Sequence, residues 1–564
     1  MVKKILLFLA VLTAFNLQAV TFKGEPISGT SNCRIVGIAE DHASVNGDLN
    51  IPMSLYINGR VYQVTEIASG ALNDFPNVTR ILLPGSVTNI GGLTESFKKG
   101  PLYNFFGCPK LKEFYVASNN PMFSHNSQGL LLKTDGKDLV RCPQAVSTEN
   151  GTLKVGGNVN AICEEAFSEV TTVVRLEIEY LRAVSYNGGL NSCVNLASIR
   201  INNDVFLHTN DDVLIDHTGV LMCFPPKKVL GSYTMPAEVT EIYDFAFANT
   251  MYLSTVIFNN NVKKIGPYAF YKANLATVNL SSSVETVEPF AFSEMPRLTT
   301  IVTRGDLTEL PAGFAAGCPN LTTLNFQKTQ PSKLGNGAFK NCTSLADYKF
   351  SAATLMGDSV FYNTGFTEVV YGSEAPVQEA ARNGYYIFAD CKKLARINLS
   401  AINCENGQFT LPGKFAPGCP NLTEVEMARN TYIRMPNQFT ENWYTFGESC
   451  ALKKIIMYSF ECETFRPAFH WGKGGTAKPN IYILRNGLGA DAPAPTDKLC
   501  AGDQYTTVKP IYYYESVRPA PSYSTGNATF YIPGGAMEFF SEALDAGAYV
   551  EEFYRFNPGT EPDG

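Results

Sequence analysis

Cysteine is the residue type in this chain whose number and spacing most invite a chemical interpretation. The 564 residues include 14 cysteines and five histidines. That many thiols could form disulfides in an oxidising compartment, or could bind zinc if paired ligands stood at the usual spacings. The sequence contains no Cys-x-x-Cys and few histidines, so the spacing argues against a zinc site.

Seven of the cysteines recur at one phase of a longer pattern, three residues before a repeat residue that is usually leucine. They are Cys108, Cys193, Cys318, Cys342, Cys391, Cys419 and Cys450. A free cysteine behaves as a small apolar side chain, so a thiol at a constant phase is typical of a packing position. We interpret the seven as reduced and buried. Stacked neighbours would lie about 5 Å apart, so distance alone leaves disulfide bonding open.

Other candidate ligands each have a simpler structural interpretation. His125 and His208 occupy equivalent places in two similar segments, which favours a structural role for both. An acidic cluster could hold calcium but lacks ordered ligand spacing, so solvated turn residues are favoured. Aromatic groups near the C-terminal end could stack on sugar rings, although packing is favoured. The cluster is Asn203, Asp204, Asn210, Asp211 and Asp212, and the aromatic groups are His470-Trp471 and Tyr512-Tyr513-Tyr514.

Common catalytic motifs are not found in the sequence. There is no Gly-x-Ser-x-Gly, no His-Glu-x-x-His and no phosphate-binding glycine loop. We therefore predict a protein that is not an enzyme, with no catalytic residues, no metal and no cofactor.

The segments that must position these residues repeat with a period in the low twenties. Between Val239 and Phe350 one phrase ends five times in Ala-Phe or its equivalent, and the closing phenylalanines are 23, 22, 22 and 25 residues apart. Each is followed by a phrase of the form Leu-x-x-Val-x-Leu. Such a period predicts a leucine-rich-repeat solenoid, whose coils bury their apolar faces only by stacking. After Phe350 the intervals become 22, 27, 27 and 31, ending at Phe446, which leaves the strand register uncertain there.

Two matching segments interrupt the repeat. Residues 123–143 and 206–225 are each predicted to form a strand, a glycine-containing turn and a second strand, with reversals at Asp135-Gly136 and Thr218-Gly219. We expect both to be short β-hairpin units inserted between coils.

The third and fifth residues of Leu-x-x-Val-x-Leu should point away from the core, because strand side chains alternate. The third-position row is Thr255, Thr277, Thr300, Thr323, Asp347, Glu368, Arg396, Glu424 and Lys454. The fifth-position row is Ile257, Asn279, Val302, Asn325, Lys349, Val370, Asn398, Glu426 and Ile456. A solvated row of strand-forming threonines is the plain interpretation. Our hypothesis is that the charged half binds a partner through Asp347, Lys349, Glu368, Arg396, Asn398, Glu424, Glu426 and Lys454.

The two ends of the chain differ from the repeat. Residues 1–19 have the features of a secretory signal peptide: Lys3 and Lys4, an apolar core, and Leu17-Gln18-Ala19 at the cleavage site. We expect an N-terminal β cap over 20–63, with a hairpin turn at Asn58-Gly59, a solenoid over 64–457, and a C-terminal cap or small module over 458–564.

Charge and hydropathy restrict the partners. Removing the leader changes the net charge from −7 to −9, with 43 positive and 52 negative side chains, which argues against general affinity for nucleic acid. No later stretch reaches the ~18–20 apolar residues of a transmembrane helix. We expect an exported protein, secreted or at the cell surface.

The repeated phrases resemble the BspA-like leucine-rich repeat of bacterial surface and secreted proteins. Ile265-Gly-Pro-Tyr-Ala-Phe270, the Cys-x-x-Leu-x-x-Val-x-Leu phrase and the doubled hairpin segment carry the resemblance, which covers roughly residues 64–457. It implies a β-rich α/β repeat, a right-handed leucine-rich-repeat solenoid with short β-hairpin insert units and β caps. It also implies an extracellular binding or adhesion surface for a protein or glycan.

Two alternatives to binding stay open from the sequence. The chain could be a structural spacer in a surface assembly, or a hydrolase activity could reside in residues 458–564. The ligand, the route of surface attachment and the oligomeric state are not predicted.

Overall fold

The structure is a computed structural model that describes part of the chain, in two compact units, Met1–Asn274 and Leu275–Gly564. The described residues are 20–91, 104–156, 159, 161–184, 189–203, 206–350, 354–371, 384–402, 409–412, 414–426, 431–434, 450–457, 480–483, 528–533 and 550–556. The predicted leader, Phe446, Asp204, His470-Trp471 and the three tyrosines at 512–514 lie outside them.

In the first unit, one 3₁₀ turn (His42–Ser44) accompanies the strands β1 (Phe22–Pro26), β2 (Asn32–Ile38), β3 (Gly47–Asn50), β4 (Ser54–Ile57), β5 (Arg60–Ile67), β6 (Val78–Leu83), β7 (Asn89–Ile90), β8 (Glu113–Val116), β9 (Phe123–His125), β10 (Leu131–Lys133), β11 (Asp138–Arg141), β12 (Thr152–Val155), β13 (Ala161–Ile162), β14 (Arg175–Tyr180), β15 (Ala183–Val184), β16 (Ser198–Asn203), β17 (Leu207–Asn210), β18 (Val213–Asp216), β19 (Val220–Cys223), β20 (Ser232–Thr234), β21 (Glu241–Ile242), β22 (Thr255–Ile257) and β23 (Lys264–Ile265).

In the second unit, the strands are β24 (Thr277–Leu280), β25 (Thr286–Val287), β26 (Thr300–Thr303), β27 (Glu309–Leu310), β28 (Thr323–Phe326), β29 (Lys333–Leu334), β30 (Leu355–Met356), β31 (Glu368–Val370), β32 (Arg396–Asn398), β33 (Phe409–Pro412), β34 (Glu424–Glu426), β35 (Thr431–Arg434), β36 (Lys454–Met457), β37 (Asn480–Ile483), β38 (Ala528–Pro533) and β39 (Val550–Phe556).

The N-terminal sheet has the strand order β1-β2-β5-β4. The predicted hairpin is confirmed: β4 and β5 are antiparallel, and Asn58 and Gly59 both have left-handed φ values, 51° and 86°, as a type I′ turn requires. Before this turn the chain forms two separate strands, β3 and β4. Pro52 lies between them and cannot donate a backbone hydrogen bond to a sheet.

Each hairpin segment forms three strands rather than the predicted two. β9, β10 and β11 pair antiparallel in chain order, and β17, β18 and β19 do the same. The predicted reversals are present, with Gly136 at φ 69° and Gly219 at φ 87°. The extra reversals use other left-handed residues, Gly129 in the first segment and Asp211-Asp212 in the second. The last strand of each segment then pairs in parallel with the next coil.

A regular coil contributes one two-residue strand and one longer strand. In the second unit, β27, β29 and β30 pair in parallel, while β24, β26 and β28 form a second parallel sheet. In β24 and β26 alternate residues are buried, which confirms the predicted inward and outward positions. In the stretched coils, where the sequence left the strand register uncertain, β31, β32, β34 and β36 pair in parallel and stay in phase.

The described linkers between these strands consist of turns, bends and irregular segments. Among the described residues the regular structure is β-strand with one 3₁₀ turn, so the β-rich part of the predicted fold class is confirmed and its α-helical part is wrong. Left-handed residues recur within the linkers, for example Gly313 (φ 61°) and Gly317 (φ 73°) in one coil and Ser359 (φ 58°) and Asn363 (φ 54°) in another. An α-helix cannot continue through such residues.

The coil interiors contain a column of phenylalanine rings in stacked or edge-to-face contact, all fully buried. Phe247 and Phe270 stack in the first unit with ring centroids 4.8 Å apart. In the second unit the successive centroid distances are 5.4, 6.0, 5.5, 5.5 and 5.2 Å from Phe292 through Phe314, Phe339, Phe361 and Phe388 to Phe415. The column confirms the predicted shared interior within each unit.

One coil reverses the Ala-Phe order within this column. Phe314 directly follows the left-handed Gly313, whereas Phe339 stands two residues after the left-handed Gly337. Ala315 therefore occupies the backbone place that Phe339 has in the next coil, and both Phe314 and Ala315 are fully buried. The Phe314 ring still contacts the Phe292 and Phe339 rings, so a ring can join the column from either backbone place.

The seven phased cysteines are buried and free, as predicted. Six of the seven thiols donate to carbonyl groups of the preceding coil, for example Cys318 to Phe292 at 3.1 Å, Cys391 to Phe361 at 3.2 Å and Cys419 to Phe388 at 3.2 Å. The Cys108 thiol donates to the Phe106 carbonyl at 3.4 Å. Burial raises the pKa of Cys318 to about 12. The thiols are therefore protonated packing groups at neutral pH.

Asparagine side chains make a second set of bonds between coils. Asn195 donates to the Thr171 carbonyl at 2.8 Å, Asn320 to Pro296 at 2.7 Å and Asn421 to Lys392 at 2.6 Å. Each follows a phased cysteine by two residues, so the Cys-x-Asn-Leu phrase supplies an inward packing group and an outward tie to the preceding coil.

Candidate binding surface

Five of the eight residues proposed for binding lie on one sheet face of the second unit: Glu368, Arg396, Asn398, Glu424 and Glu426. Register places Glu368, Arg396 and Glu424 directly opposite one another on β31, β32 and β34. In each of these strands the middle residue is buried and the two outer residues are not. The backbone therefore brings the third- and fifth-position side chains of three coils onto one surface, which we call the charged face.

Arg396 lies at the centre of the charged face, between three carboxylates. Its Nη1 donates to Glu368 Oε1 at 2.7 Å, and its Nη2 donates to Glu426 Oε2 at 3.3 Å. Its Nε lies 3.3 Å from Glu424 Oε1, an ion-pair contact without hydrogen-bond geometry. Burial acts to lower the pKa of Arg396, but the three carboxylates outweigh it and raise the pKa. The guanidinium is a fixed cation.

The charged face combines exposed and shielded groups. The Arg396 side chain is 39% exposed and that of Glu368 42%, whereas Glu426 is only 12% exposed. Val370 is also exposed. Three carboxylates surround one guanidinium, so the groups that Arg396 brings together carry a net negative charge beside a small apolar surface.

The remaining residues proposed for binding differ from the Arg396 group in position or in their hydrogen bonds. Asp347 and Lys349 are exposed on either side of buried Tyr348, one coil before Glu368. Asn398 uses its Oδ1 within its own turn, accepting from the Ser400 backbone N–H at 2.9 Å and hydroxyl at 2.7 Å. The backbone of Lys454 lies opposite Glu424, and its side chain is outside the described atoms.

The first unit contains a similar arginine that sequence reasoning missed. Arg80 lies between Asp48 and Glu113 on the parallel strands β3, β6 and β8. Its Nε donates to Asp48 Oδ1 at 3.1 Å, its Nη2 also pairs with Asp48, and its Nη1 lies 3.5 Å from Glu113 Oε1. The hydrogen bonds to Asp48 raise the pKa of Arg80. Arg80 is the third residue of a repeat strand. The expectation that third residues point away from the core would have identified it, had it been applied to β6.

Charged residues also occupy the outward positions of another sheet in the first unit. Lys154, Glu177 and Arg200 lie opposite one another on β12, β14 and β16. These strands precede Thr255, where the outward rows listed from the sequence begin. Ionic rows occur in both units, and the uncharged threonine row is limited to part of the chain.

The candidate calcium cluster contains a cation of its own. Lys228 Nζ lies 3.2 Å from Asp211 Oδ1 and 3.2 Å from Asp212 Oδ2, and the lysine is nearly buried. Ser198 also donates to Asp212 at 2.7 Å. The ammonium occupies the position between the carboxylates, which supports the structural interpretation. Within the described residues, no group of three or more His, Cys, Asp or Glu side chains is arranged to hold a metal ion.

The two equivalent histidines, His125 and His208, each contact a neighbouring part of the chain, which supports a structural role. His125 Nδ1 accepts the Val116 backbone N–H at 3.1 Å, which ties the first hairpin segment to the strand before it. His208 Nε2 lies 3.3 Å from Glu238 Oε1, and its ring stacks on His217. Both rings therefore hold a hairpin segment in place.

In the part of the chain that the structure describes, no helix is both long and apolar enough to span a bilayer.

Comparison with known proteins found similar solved structures and a matching family profile. Three similar solved structures are a leucine-rich cell surface protein from Faecalibacterium prausnitzii (17% identity, TM-score 0.33, 65% of this chain and 95% of that one), a leucine-rich repeat protein from Eubacterium ventriosum (17%, 0.37, 62% and 95%), and one from Bacteroides ovatus (17%, 0.31, 78% and 99%). No curated protein matches the chain. A family profile described as BspA type leucine rich repeat region (6 copies) matches residues 222–346 and 316–395.

Proposed function

We propose that this chain, which carries a BspA-type leucine-rich repeat region, is an exported binding protein. It recognises a protein or glycan outside the cell through the charged face, without catalysis. We further propose a right-handed solenoid over residues 64–457 with the hairpin segments as inserts, a β cap over 20–63, and a cap or small module over 458–564.

The observation that carries this proposal is the fixed geometry around Arg396. Its three carboxylate neighbours hold the guanidinium on an exposed surface, so a partner meets side chains that are already ordered. Preorganised groups lose less conformational entropy on binding. The excess of carboxylates favours a partner that presents cationic groups or hydrogen-bond donors, and electrostatic complementarity of this kind mainly gives specificity.

The spacer alternative gives a different expectation for the same residues. Exposed ion pairs contribute about 0.2–1 kcal/mol each to folding stability. If the charged face were only part of a spacer, its substitution would change stability slightly and no binding would be lost. A partner that depends on Glu424 and Glu426 therefore separates the two functions.

The test is a pull-down with the chain from Val20 onward as bait, against extracellular and surface extracts, followed by affinity measurement with the captured partner. Charge reversal in Glu424→Lys/Glu426→Lys is expected to reduce binding at least about tenfold, or ~1.4 kcal/mol. Glu309→Lys is the matched control, because Glu309 forms an exposed ion pair with Lys333 on the short-strand sheet of the same unit, at 2.9 Å. Equal binding by all three proteins would refute the charged face as the binding site.

A further inference from the structure

The first described residues are held by one carboxylate. Both carboxylate oxygens of Glu40 lie 3.0 Å from the backbone N of Thr21, which donates to them. The Thr21 carbonyl accepts the Ala39 N–H at 2.8 Å, and Val20 packs partly buried against the N-terminal core. Val20 and Thr21 are therefore fixed in place by the fold, with Glu40 beside them.

Glu40 is charged and has capacity for a second donor. The hydrogen bonds from the Thr21 hydroxyl and from its backbone N–H lower the pKa of Glu40. A carboxylate offers about four lone-pair sites, and Thr21 uses only part of them. Among the described lysines and arginines, none forms an ion pair with Glu40, so within this part of the chain its negative charge lacks a paired cation.

The predicted cleavage site of the leader is the peptide bond between Ala19 and Val20, one residue before Thr21. Hydrolysis of the Ala19–Val20 peptide bond adds one water across it, leaving a carboxylate on Ala19 and an α-ammonium on Val20 at neutral pH. Consecutive Cα atoms are about 3.8 Å apart, so the new cation forms one residue away from the atom that Glu40 already binds. Opposite charges at this range attract.

We propose that Glu40 is the receptor for the α-ammonium of Val20, so that removal of the leader creates an ion pair absent from the precursor. The inference rests on the export part of the proposed function and is independent of the charged face. Processing then does more than shorten the chain, because it fixes the new terminus against the N-terminal sheet.

The test is an NMR titration of the Val20 amine, carbon-13 labelled by reductive methylation, in the chain from Val20 onward. The amine of an ordinary chain terminus has a pKa of ~7.7–8.0, and a neighbouring carboxylate raises it. We expect the wild-type midpoint to lie about 0.5 pH or more above that of Glu40→Gln. Asp41→Asn is the matched control, since Asp41 accepts the Ala43 N–H at 3.1 Å and does not contact Thr21. It should keep the wild-type midpoint.

Two further measurements make the result decisive. Acetylating the amine should lower the thermal midpoint of the wild-type chain but not that of Glu40→Gln. Each shift is measured within one protein, so a difference in folding stability between the two proteins does not affect the result. The intact mass of the exported protein should correspond to a start at Val20. A different start, equal amine midpoints in wild type and Glu40→Gln, or an equal shift in Asp41→Asn would overturn the proposal, and none of these results bears on binding by the charged face.

Discussion

The interior and the sheet face of the second unit follow different rules from coil to coil. Inside, a phenylalanine ring fills each coil from Phe292 to Phe415, and each ring contacts the next. On the face, the third position changes from Thr300 to Arg396. Each coil packs only on its neighbours and must offer them the same shape, whereas outward residues meet water. Repetition therefore identifies the architecture, and departures from it identify the candidate site.

The largest expected difference between the two regions comes from truncating one residue in each. Phe361 is fully buried and contacts the rings of Phe339, Phe350, Phe366 and Phe388. Phe361→Ala should lower the free energy of unfolding by about 3–5 kcal/mol, measured by urea denaturation. Thr300→Ala on the sheet face should change it by less than about 0.5 kcal/mol. Similar losses in both variants would show that the interior does not determine stability.

Substitution of glycines in the turns between strands should give the next largest loss of folding stability. Gly313 and Gly337 both have φ 61°, so alanine at either position should cost about 1–2 kcal/mol through the left-handed backbone. A Cβ at Gly313 would also fall on the Phe290 ring, whereas at Gly337 its nearest neighbour is Lys340 Cβ at 3.6 Å. Gly313→Ala should therefore lose about 1–3 kcal/mol more than Gly337→Ala. Equal unfolding midpoints would mean that Phe290 moves away at no cost.

The buried thiols should make the free energy of unfolding decrease as the pH becomes alkaline. Burial raises the pKa of Cys318 from 9.0 to about 12, so the folded state holds this proton more tightly than the unfolded state. The resulting stability is present below pH 9 and is lost as the pH rises toward 12. The stability difference between wild type and Cys318→Ala should shift by about 1.4 kcal/mol against the wild type from pH 8 to pH 10. A constant difference would indicate a thiol that ionises freely.

On the charged face, a small loss of stability is expected together with the largest effect on binding. Arg396→Met should lower the free energy of unfolding by no more than about 1 kcal/mol and should weaken binding of the captured partner at least about tenfold. Arg80→Met removes a guanidinium with a similar pair of carboxylate neighbours in the first unit, and should keep the affinity. If both variants lose binding equally, the binding surface is not confined to the charged face.

The parts of the fold that were predictable are those that repeat. The phenylalanine column, the buried thiols and the alternation of inward and outward residues all follow from one period and one strand rule. The register of the stretched coils was left uncertain by the sequence, and the structure shows that Glu368, Arg396 and Glu424 keep their place in the phrase. Asn58-Gly59 was predictable because a two-residue turn has few solutions.

The parts that were missed depend on contacts between distant residues or on backbone conformation. Lys228 is 16 residues from Asp212 and reaches it only because the second hairpin segment folds back. The reversed order at Phe314-Ala315 follows the left-handed Gly313, which a count of residue types does not show. The three-carboxylate geometry of Arg396 needs side-chain positions that a row of outward residues does not supply.

The ties between coils imply that this protein can change length by whole coils during evolution. Thr343 donates to the Pro319 carbonyl, and Pro296 holds the same place one coil earlier, where it accepts from Asn320. Excising residues 300–322 would join Thr299 to Thr323 and bring Thr343 to the Pro296 carbonyl instead. Unequal crossing-over between repeats would thus yield shorter or longer chains whose cut surfaces still match.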